Sequence, residues 1–277
     1  MTGVTIRAAV AGDFDRLGEL FTRCGFGAAM ADLLAYLRAQ LDGEAFVADL
    51  AGRPVGAAGC IAFGASGWIG AVVVAPEQRR RGLGGALTRT AAGWLTARGA
   101  RTVSLHATEL GRPVYRRLGF VAEGEWVTLI ADAAAPRPAP PWLRPGRPDD
   151  LPAVLALDRG ATGEDRCSVL RATWPQRGLV AEDGAGRLRG FYARRPARPS
   201  GGATIAVDLE VGVALRLAGQ TPGEPEYASL PAGHHAARAA LERLGYGQPS
   251  LTTRMRLGPP LAWRAELIFG AFNLFWG

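Results

Sequence analysis

Two periods in the apolar residues outline the first part of the chain. Val4 to Arg7 reads as a short strand, and apolar positions three and four apart predict helices near Asp13 to Cys24 and Ala29 to Leu41. Strands follow near Glu44 to Leu50 and Pro54 to Phe63. The β-branched run Val72-Val73-Val74 fits a buried strand, which Pro76 ends by removing a backbone donor. Beyond Gly85, Leu87, Trp94 and Leu95 recur at helical spacing up to Gly99, a C-terminal cap. A strand at Thr102 to Ala107, a helix around Tyr115 and a last strand near Trp126 to Ala131 complete an α/β half.

Between the apolar strand and the next helix lies Ala75-Pro76-Glu77-Gln78-Arg79-Arg80-Arg81-Gly82-Leu83-Gly84-Gly85. The amides near Arg80 to Gly85 should be unpaired at a helix N-terminus, where free donors and the helix dipole attract anions. Glycine lets a phosphate approach the backbone closely. Strand, basic turn, glycines and helix thus make one device, a pyrophosphate cradle. A Walker A loop would end in Gly-Lys-Ser/Thr, and this chain contains no lysine. A dinucleotide fingerprint fails because Leu87 stands where the third glycine belongs and Glu77 to Arg81 separate the motif from its strand.

Arg79-Arg80-Arg81-Gly82-Leu83-Gly84 resembles the acyl-CoA loop of the GNAT acyltransferase superfamily, which has the form Q/R-x-x-G-x-G/A. Downstream, Gly111-Arg112-Pro113-Val114-Tyr115-Arg116-Arg117-Leu118-Gly119-Phe120 resembles that superfamily's tyrosine helix ending in a Gly-Phe turn, in the same order and at a fitting distance. The resemblance covers residues 1–132 as one GNAT domain. It implies acetyl-CoA as co-substrate, bound by Val72, Val73 and Val74 along its pantetheine arm and by Arg79, Arg80, Arg81, Gly82, Leu83, Gly84 and Gly85 at its pyrophosphate.

Composition narrows the setting. The 277 residues suit two domains, and 48% hydrophobic with 21% charged is ordinary for a soluble globular protein. No apolar run is long enough to predict a membrane span, and Met1 to Arg7 holds no signal-peptide core. Cys24, Cys60 and Cys167 fit no metal spacing and leave an odd thiol, so a reducing cytoplasm is expected. The net charge of +7 comes from arginines spread along the whole chain without one aromatic-interleaved tract. That distribution argues for a solvated basic surface, which favours an anionic cofactor, and against nucleic-acid binding.

Ala133 to Pro141 is alanine- and proline-rich and reads as a semi-rigid linker at 133–141. Segments on either side repeat in one order. Ile6-Arg7 with Asp13-Phe14 and Leu17 matches Leu143-Arg144 with Asp150-Leu151 and Val154. Phe46-Val47-Ala48-Asp49 matches Leu179-Val180-Ala181-Glu182, and Arg117 to Phe120 matches Arg243 to Tyr246. The expected architecture is therefore two GNAT-like domains, each a mixed, mostly antiparallel sheet flanked by helices. In the second, at 142–277, the strand Ala203 to Val207 runs into Asp208-Leu209-Glu210 with no arginine-glycine turn, and Leu241 stands at the place of Tyr115. Acidic residues at that helix entrance would repel pyrophosphate, so no acyl-CoA is expected there.

The resemblance implies that an amine attacks the thioester directly, without an acyl-enzyme. Tyr115 is the candidate general acid for the departing sulfur, since a phenol can protonate a developing thiolate. His106, on one face of its strand with Thr108, and Glu109 at the strand end are the candidate bases. Asp158, Asp165 and Arg166 either line an acceptor pocket or form salt bridges. His234 and His235 are adjacent without ligand partners, so no metal is expected. The apolar run Leu267 to Trp276 should pack on a domain or on a second subunit, which leaves a homodimer open. The acceptor expected is a small-molecule primary amine. A protein N-terminus or lysine, or a noncatalytic acyl-CoA-binding or regulatory module, are the alternatives.

Overall fold

Strand β1 (Val4–Ala8) pairs antiparallel with β2 (Gly43–Leu50), placing Ile6 opposite Ala48 and Arg7 opposite Val47. Helices α1 (Ala11–Arg23) and α2 (Met30–Gln40) connect them, and β2 continues antiparallel into β3 (Arg53–Phe63) and β4 (Ser66–Val74). Helix α3 (Leu83–Ala97) then leads to β5 (Thr102–Ala107), which lies parallel to β4, and α4 (Arg112–Arg117) follows. The strand order here is β1-β2-β3-β4-β5. The computed structural model describes residues 3–132, 139–176, 178–195 and 201–277. Most of the linker expected at 133–141, namely 133–138, lies outside the described residues.

Small residues on β3 let helices approach both faces of this sheet. A Cβ on Gly59 would fall 2.3 Å from Leu34 of α2, and one on Gly56 would fall 3.1 Å from Leu87 of α3. The α3 face carries the core of Phe46, Ala48, Ala58, Cys60, Ile69, Leu87, Leu95, Val103, Leu105, Tyr115 and Phe120. Trp68, Ser104 and His106 fall on the opposite face, because side chains alternate along a strand.

After β6 (Val121–Ala131) the second half repeats the pattern. It contains β7 (Leu143–Pro145), α5 (Leu151–Thr162), α6 (Cys167–Thr173), β8 (Gly178–Glu182), β9 (Leu188–Arg194) and β10 (Gly202–Ala206). Then come α7 (Leu209–Ala218), β11 (Glu226–Pro231), α8 (His235–Arg243), β12 (Gly247–Leu257) and β13 (Ile268–Gly270). In the first three strands of each half the duplication holds to the residue. Leu143 opposes Ala181 and Arg144 opposes Val180, the register that Ile6 and Arg7 have with Ala48 and Val47. The irregularity at Ala48/Asp49 recurs at Ala181/Glu182. By the same count Gly190 holds the place of Gly56, and its virtual Cβ meets Leu215 and Val211 of α7 as that of Gly56 meets Leu87 of α3.

The chain folds into two compact units, 1–122 with 255–259 and Trp276, and 123–254 with 260–275 and Gly277. Each unit is completed by a strand from the other half of the sequence. Met255 and Leu257 of β12 pack in the first core beside Tyr115 and Phe120, while Val127, Leu129 and Ala131 of β6 pack in the second beside Leu241 and Tyr246. Gly258 is tied to this exchange, since a Cβ there would fall 2.0 Å from the carbonyl oxygen of Arg101.

The repeated polar residues form matching ion-pair triads. Arg7 donates to Asp13 at 2.6 and 2.9 Å and to Asp49 at 2.5 Å, and Asp13 accepts from the Val10 amide at 2.8 Å. Arg144 donates to Asp150 at 2.8 Å through two nitrogens and also to Glu182, while Asp150 accepts from the Arg147 amide at 2.6 Å. Each triad ties the first strand of its repeat, β1 or β7, to the second, β2 or β8, and to the entry of the following helix. The arginine hydrogen bonds hold both Asp13 and Asp150 below the usual carboxylate range.

The folded state therefore keeps these carboxylates ionised where the unfolded chain would protonate them, and their stabilisation is full above about pH 4 and lost as pH falls below it. Asp150→Asn should cost about 2 kcal/mol at neutral pH and flatten the acid limb of a denaturant-melt series, with Asp13→Asn behaving alike. Equal acid sensitivity in both variants and the parent would remove the triads from that account.

Candidate active site

Strands β4 and β5 pair for only three rungs, Ser66 to Thr102, Gly67 to Val103 and Trp68 to Ser104, although β4 runs on to Val74 and β5 to Ala107. Beyond Trp68 the two strands part into a fork. Part of the cause lies in β4, where Ala71 adopts φ +53° and the register with β3 slips between Ala57 and Gly59, a β-bulge. The bulge also resets the alternation. Ile69 faces the α3 side, and Val72 and Val74, instead of residues 71 and 73, pack against that same core. The Val74 carbonyl accepts from Arg79 Nε at 3.1 Å and lies 3.5 Å from Cys24 Sγ.

The loop after β4 has a backbone geometry able to hold an anion. Arg80 has φ +59° and Gly82 φ +81°, so the chain turns sharply into α3, whose first hydrogen bond runs from the Ala86 amide to the Gly82 carbonyl at 3.0 Å. No side chain caps the helix, which leaves the amides of its first turn directed outward. A Cβ on Gly82 would meet nothing within 4 Å, so the backbone angle and not crowding demands glycine there. Gly84 lies close to Val74, 3.8 Å from its Cγ2 to the virtual Cβ, which sets the cradle at the end of the fork strand. Arg79, Arg80 and Arg81 are exposed, Leu83 is buried and anchors the turn, and Gly85 is half-buried. Arg81 bonds Gln78, and Arg23 of α1 holds Glu77 through two contacts of 2.9 Å.

The three candidate proton carriers occupy distinct places. Tyr115 is 8% exposed in the α3-side core, 6.0 Å from the Phe120 ring in an edge arrangement, and burial pushes its phenol up to about 12. His106 lies on the other face of β5, half-buried and stacked on Trp68 with ring centroids 5.2 Å apart. Glu109 is exposed in the turn between β5 and α4. The fork thus has a phenol on one face and an imidazole on the other, with Glu109 outside in solvent. Cys60, also in this unit, is buried and its thiol is pushed up to about 12, which makes it a poor nucleophile. The stacking of His106 on Trp68, the Arg23 clamp and the bulge are not legible in the sequence alone. Gly70-Ala71 inside an otherwise β-branched strand is the available signal for the bulge.

The second unit differs at every corresponding point. Asp208 caps α7 by accepting from the Val211 amide at 3.0 Å and pairs with Arg189 at 2.5 Å, so a carboxylate already sits at that helix N-terminus. Leu241 is fully buried in the second core. Asp158 and Arg166 form a buried pair with contacts of 2.5 and 3.0 Å, and Arg159 pairs with Asp165 at 3.0 Å, so all of these residues are engaged in salt bridges. His234 contacts the Ile268 carbonyl at 3.3 Å and is held below its ordinary pKa by burial. Among the described residues no cluster of three or more metal-ligating side chains occurs, and no helix is long and apolar enough to cross a membrane.

Residues 14–120 match the model of the Acetyltransferase (GNAT) family, a span that contains both the cradle and the Tyr115 helix. Among solved structures, a putative acetyltransferase from Pyrococcus horikoshii superposes with a TM-score of 0.84 at 22% identity, over 100% of this chain and 97% of that one. A GCN5-related N-acetyltransferase from Sphaerobacter thermophilus gives 0.65 at 16% identity over 95% and 98%. A tandem GNAT protein from the clavulanic acid biosynthesis pathway gives 0.63 at 16% identity over 93% and 99%. These likenesses establish the fold along the whole chain. No curated protein matches it.

Titration with inorganic pyrophosphate tests the cradle apart from any chemistry. Gly82→Asp, which adds a carboxylate to the exposed turn, should weaken binding at least tenfold, about 1.4 kcal/mol, with the melting profile little changed. Equal affinity in parent and variant would place the anion elsewhere.

Proposed function

We propose that this chain, whose residues 14–120 match the Acetyltransferase (GNAT) family, moves an acetyl group from acetyl-CoA to a primary amine of a small molecule by direct attack. The observation that carries this reading is the fork. Backbone groups of β4 beyond Trp68 find no partner strand in β5, and the fork strand ends at a cradle of free helix amides. An extended pantetheine arm pairs along Val72 to Val74 as an added strand would, and its pyrophosphate rests on Arg79 to Gly85.

The thioester then lies in the fork with the two faces of β5 serving opposite ends of the reaction. A neutral amine attacks the carbonyl carbon, the oxygen takes up negative charge, and a β4 amide stabilises it by hydrogen bonding. Collapse breaks the carbon–sulfur bond, and the thiolate leaves on the face of Tyr115. Burial pushes the Tyr115 phenol up to about 12, so it is protonated at neutral pH and equipped to donate. The surroundings that raise the phenol also disfavour a bare thiolate, so the sulfur is a strong proton acceptor there. On the other face His106 takes the proton from the attacking amine, directly or through water, and Glu109 is the second candidate for that role. Asp208 at the head of α7 supports a single acetyl-CoA per chain, because a carboxylate capping those amides repels pyrophosphate.

Tyr115→Phe should lower turnover at least tenfold, about 1.4 kcal/mol, while acetyl-CoA affinity by calorimetry survives. Unchanged turnover would take Tyr115 out of the mechanism. His106→Gln should abolish the acidic limb of the kcat/KM pH profile, and retention of that limb in His106→Gln but not in Glu109→Gln would assign the base to Glu109.

A further inference from the structure

In the second unit the equivalent fork does not stand open. Phe191 pairs with Ile205 on β10 as Ala57 pairs with Val73 on β4, so Ile205 holds the place of Val73. The outer edge of β10 is paired antiparallel with β13, Thr204 with Gly270 and Ile205 with Ile268. On its other side the same segment reaches β11, the counterpart of β5, where the Ala271 amide donates to the Ser229 carbonyl at 2.8 Å. The chain's own β13 is thus wedged between the two strands that correspond to β4 and β5.

The side chains of this wedge occupy the rest of the slot. Phe269 is 1% exposed and lies against α7 at Gly212, where a Cβ would fall 2.3 Å from the ring. Gly212 belongs to the first turns of α7, and Asp208 satisfies the amide at the head of that helix. On the opposite side the His234 ring meets Phe269 edge-on at 4.6 Å while His234 contacts the Ile268 carbonyl. His234 stands at the N-cap position of α8, which corresponds to the Tyr115 helix.

We propose that β13 is a built-in occupant of the second unit's cofactor slot, standing where a pantetheine arm would lie and closing that slot in cis. The inference rests on the reading that the open edge of β4 takes the pantetheine arm in the first unit. Its logic is the requirement that parted strands leave backbone donors and acceptors unmade, which a buried site does not tolerate. The first unit meets that requirement with a ligand that comes and goes. The second meets it with a covalently attached peptide strand, so its core is complete without cofactor. A strand of this kind is a peptide ligand at high effective concentration, and cutting its tether turns it into an ordinary one.

The test uses the full chain with a protease site inserted between Pro260 and Arg264, folded intact and then nicked. The fragment that carries residues 264–277 should stay with the body through gel filtration, exchange with a labelled synthetic copy, and be displaced by millimolar pantetheine with its retention weakened at least tenfold. Release of the fragment without any fall in melting temperature, or retention indifferent to pantetheine, overturns the proposal. Gly212→Val in the uncut protein supplies a second measurement, because its side chain needs the space of the Phe269 ring. Hydrogen exchange at residues 268–271 should then accelerate at least tenfold while β4 is unaffected, and unchanged protection at 268–271 again overturns it. Acetyl-CoA titrated into the nicked protein separates the two readings. One equivalent bound with a fragment that pantetheine cannot displace sinks the plug alone, whereas a retained fragment with no acetyl-CoA bound sinks the reading of the first unit and the analogy drawn from it.

Discussion

A parallel pair of strands that stops after three rungs sets the terms for the rest of this molecule. Backbone amides and carbonyls are obligatory hydrogen-bonding groups, and a fork in a sheet leaves them without partners where water has limited access. Here β4 and β5 part after Trp68 and Ser104, and β4 carries a bulge at Ala71 just beyond that point. The cradle beyond β4, the phenol on one face and the imidazole on the other are arranged around that opening. In the second unit β13 takes up the corresponding edges, and in the proposed reading a bound ligand does so in the first.

The duplication explains which features are architecture and which are chemistry. The Arg7 and Arg144 triads and the close packing at Gly56 and Gly190 recur in both units, and each serves to hold strands and helix entries in place. The arginine-glycine cradle and the tyrosine of α4 have no counterpart in the second unit. Where the first unit has free helix amides, the second has Asp208; where the first has Tyr115, the second has Leu241. A fold retained where these groups differ is expected when stability resides in the repeated packing.

The exchange of final strands makes each unit depend on the whole chain. Met255 in the first core and Val127, Leu129 and Ala131 in the second come from opposite ends of the duplication. Closing contacts of such large sequence separation are costly in loop entropy. Folding of either unit should therefore wait on residues from the other half, although each has its own core.

The sequence by itself determined the elements of the first half, the duplication and the arginine-glycine turn that leads into α3. These are local matters: β-branched runs, helical spacing, the glycines from Gly82 to Gly85 and an arginine run are written in adjacent residues, and the repeat is visible because Arg7 and Asp13 recur as Arg144 and Asp150 while Asp49 is matched by Glu182. It also indicated, from Asp208 and Glu210, that the second helix entrance is acidic. Only the tertiary structure decided that β6 and β12 trade places, that His106 stacks on Trp68 across the fork, and that the apolar run near residue 268 becomes a strand between β10 and β11. Those facts depend on which backbone edges come together across long stretches of chain. An apolar run such as Ile268-Phe269-Gly270 carries the wish to be buried, while the place of its burial is set by the unpaired edges that the rest of the fold leaves open.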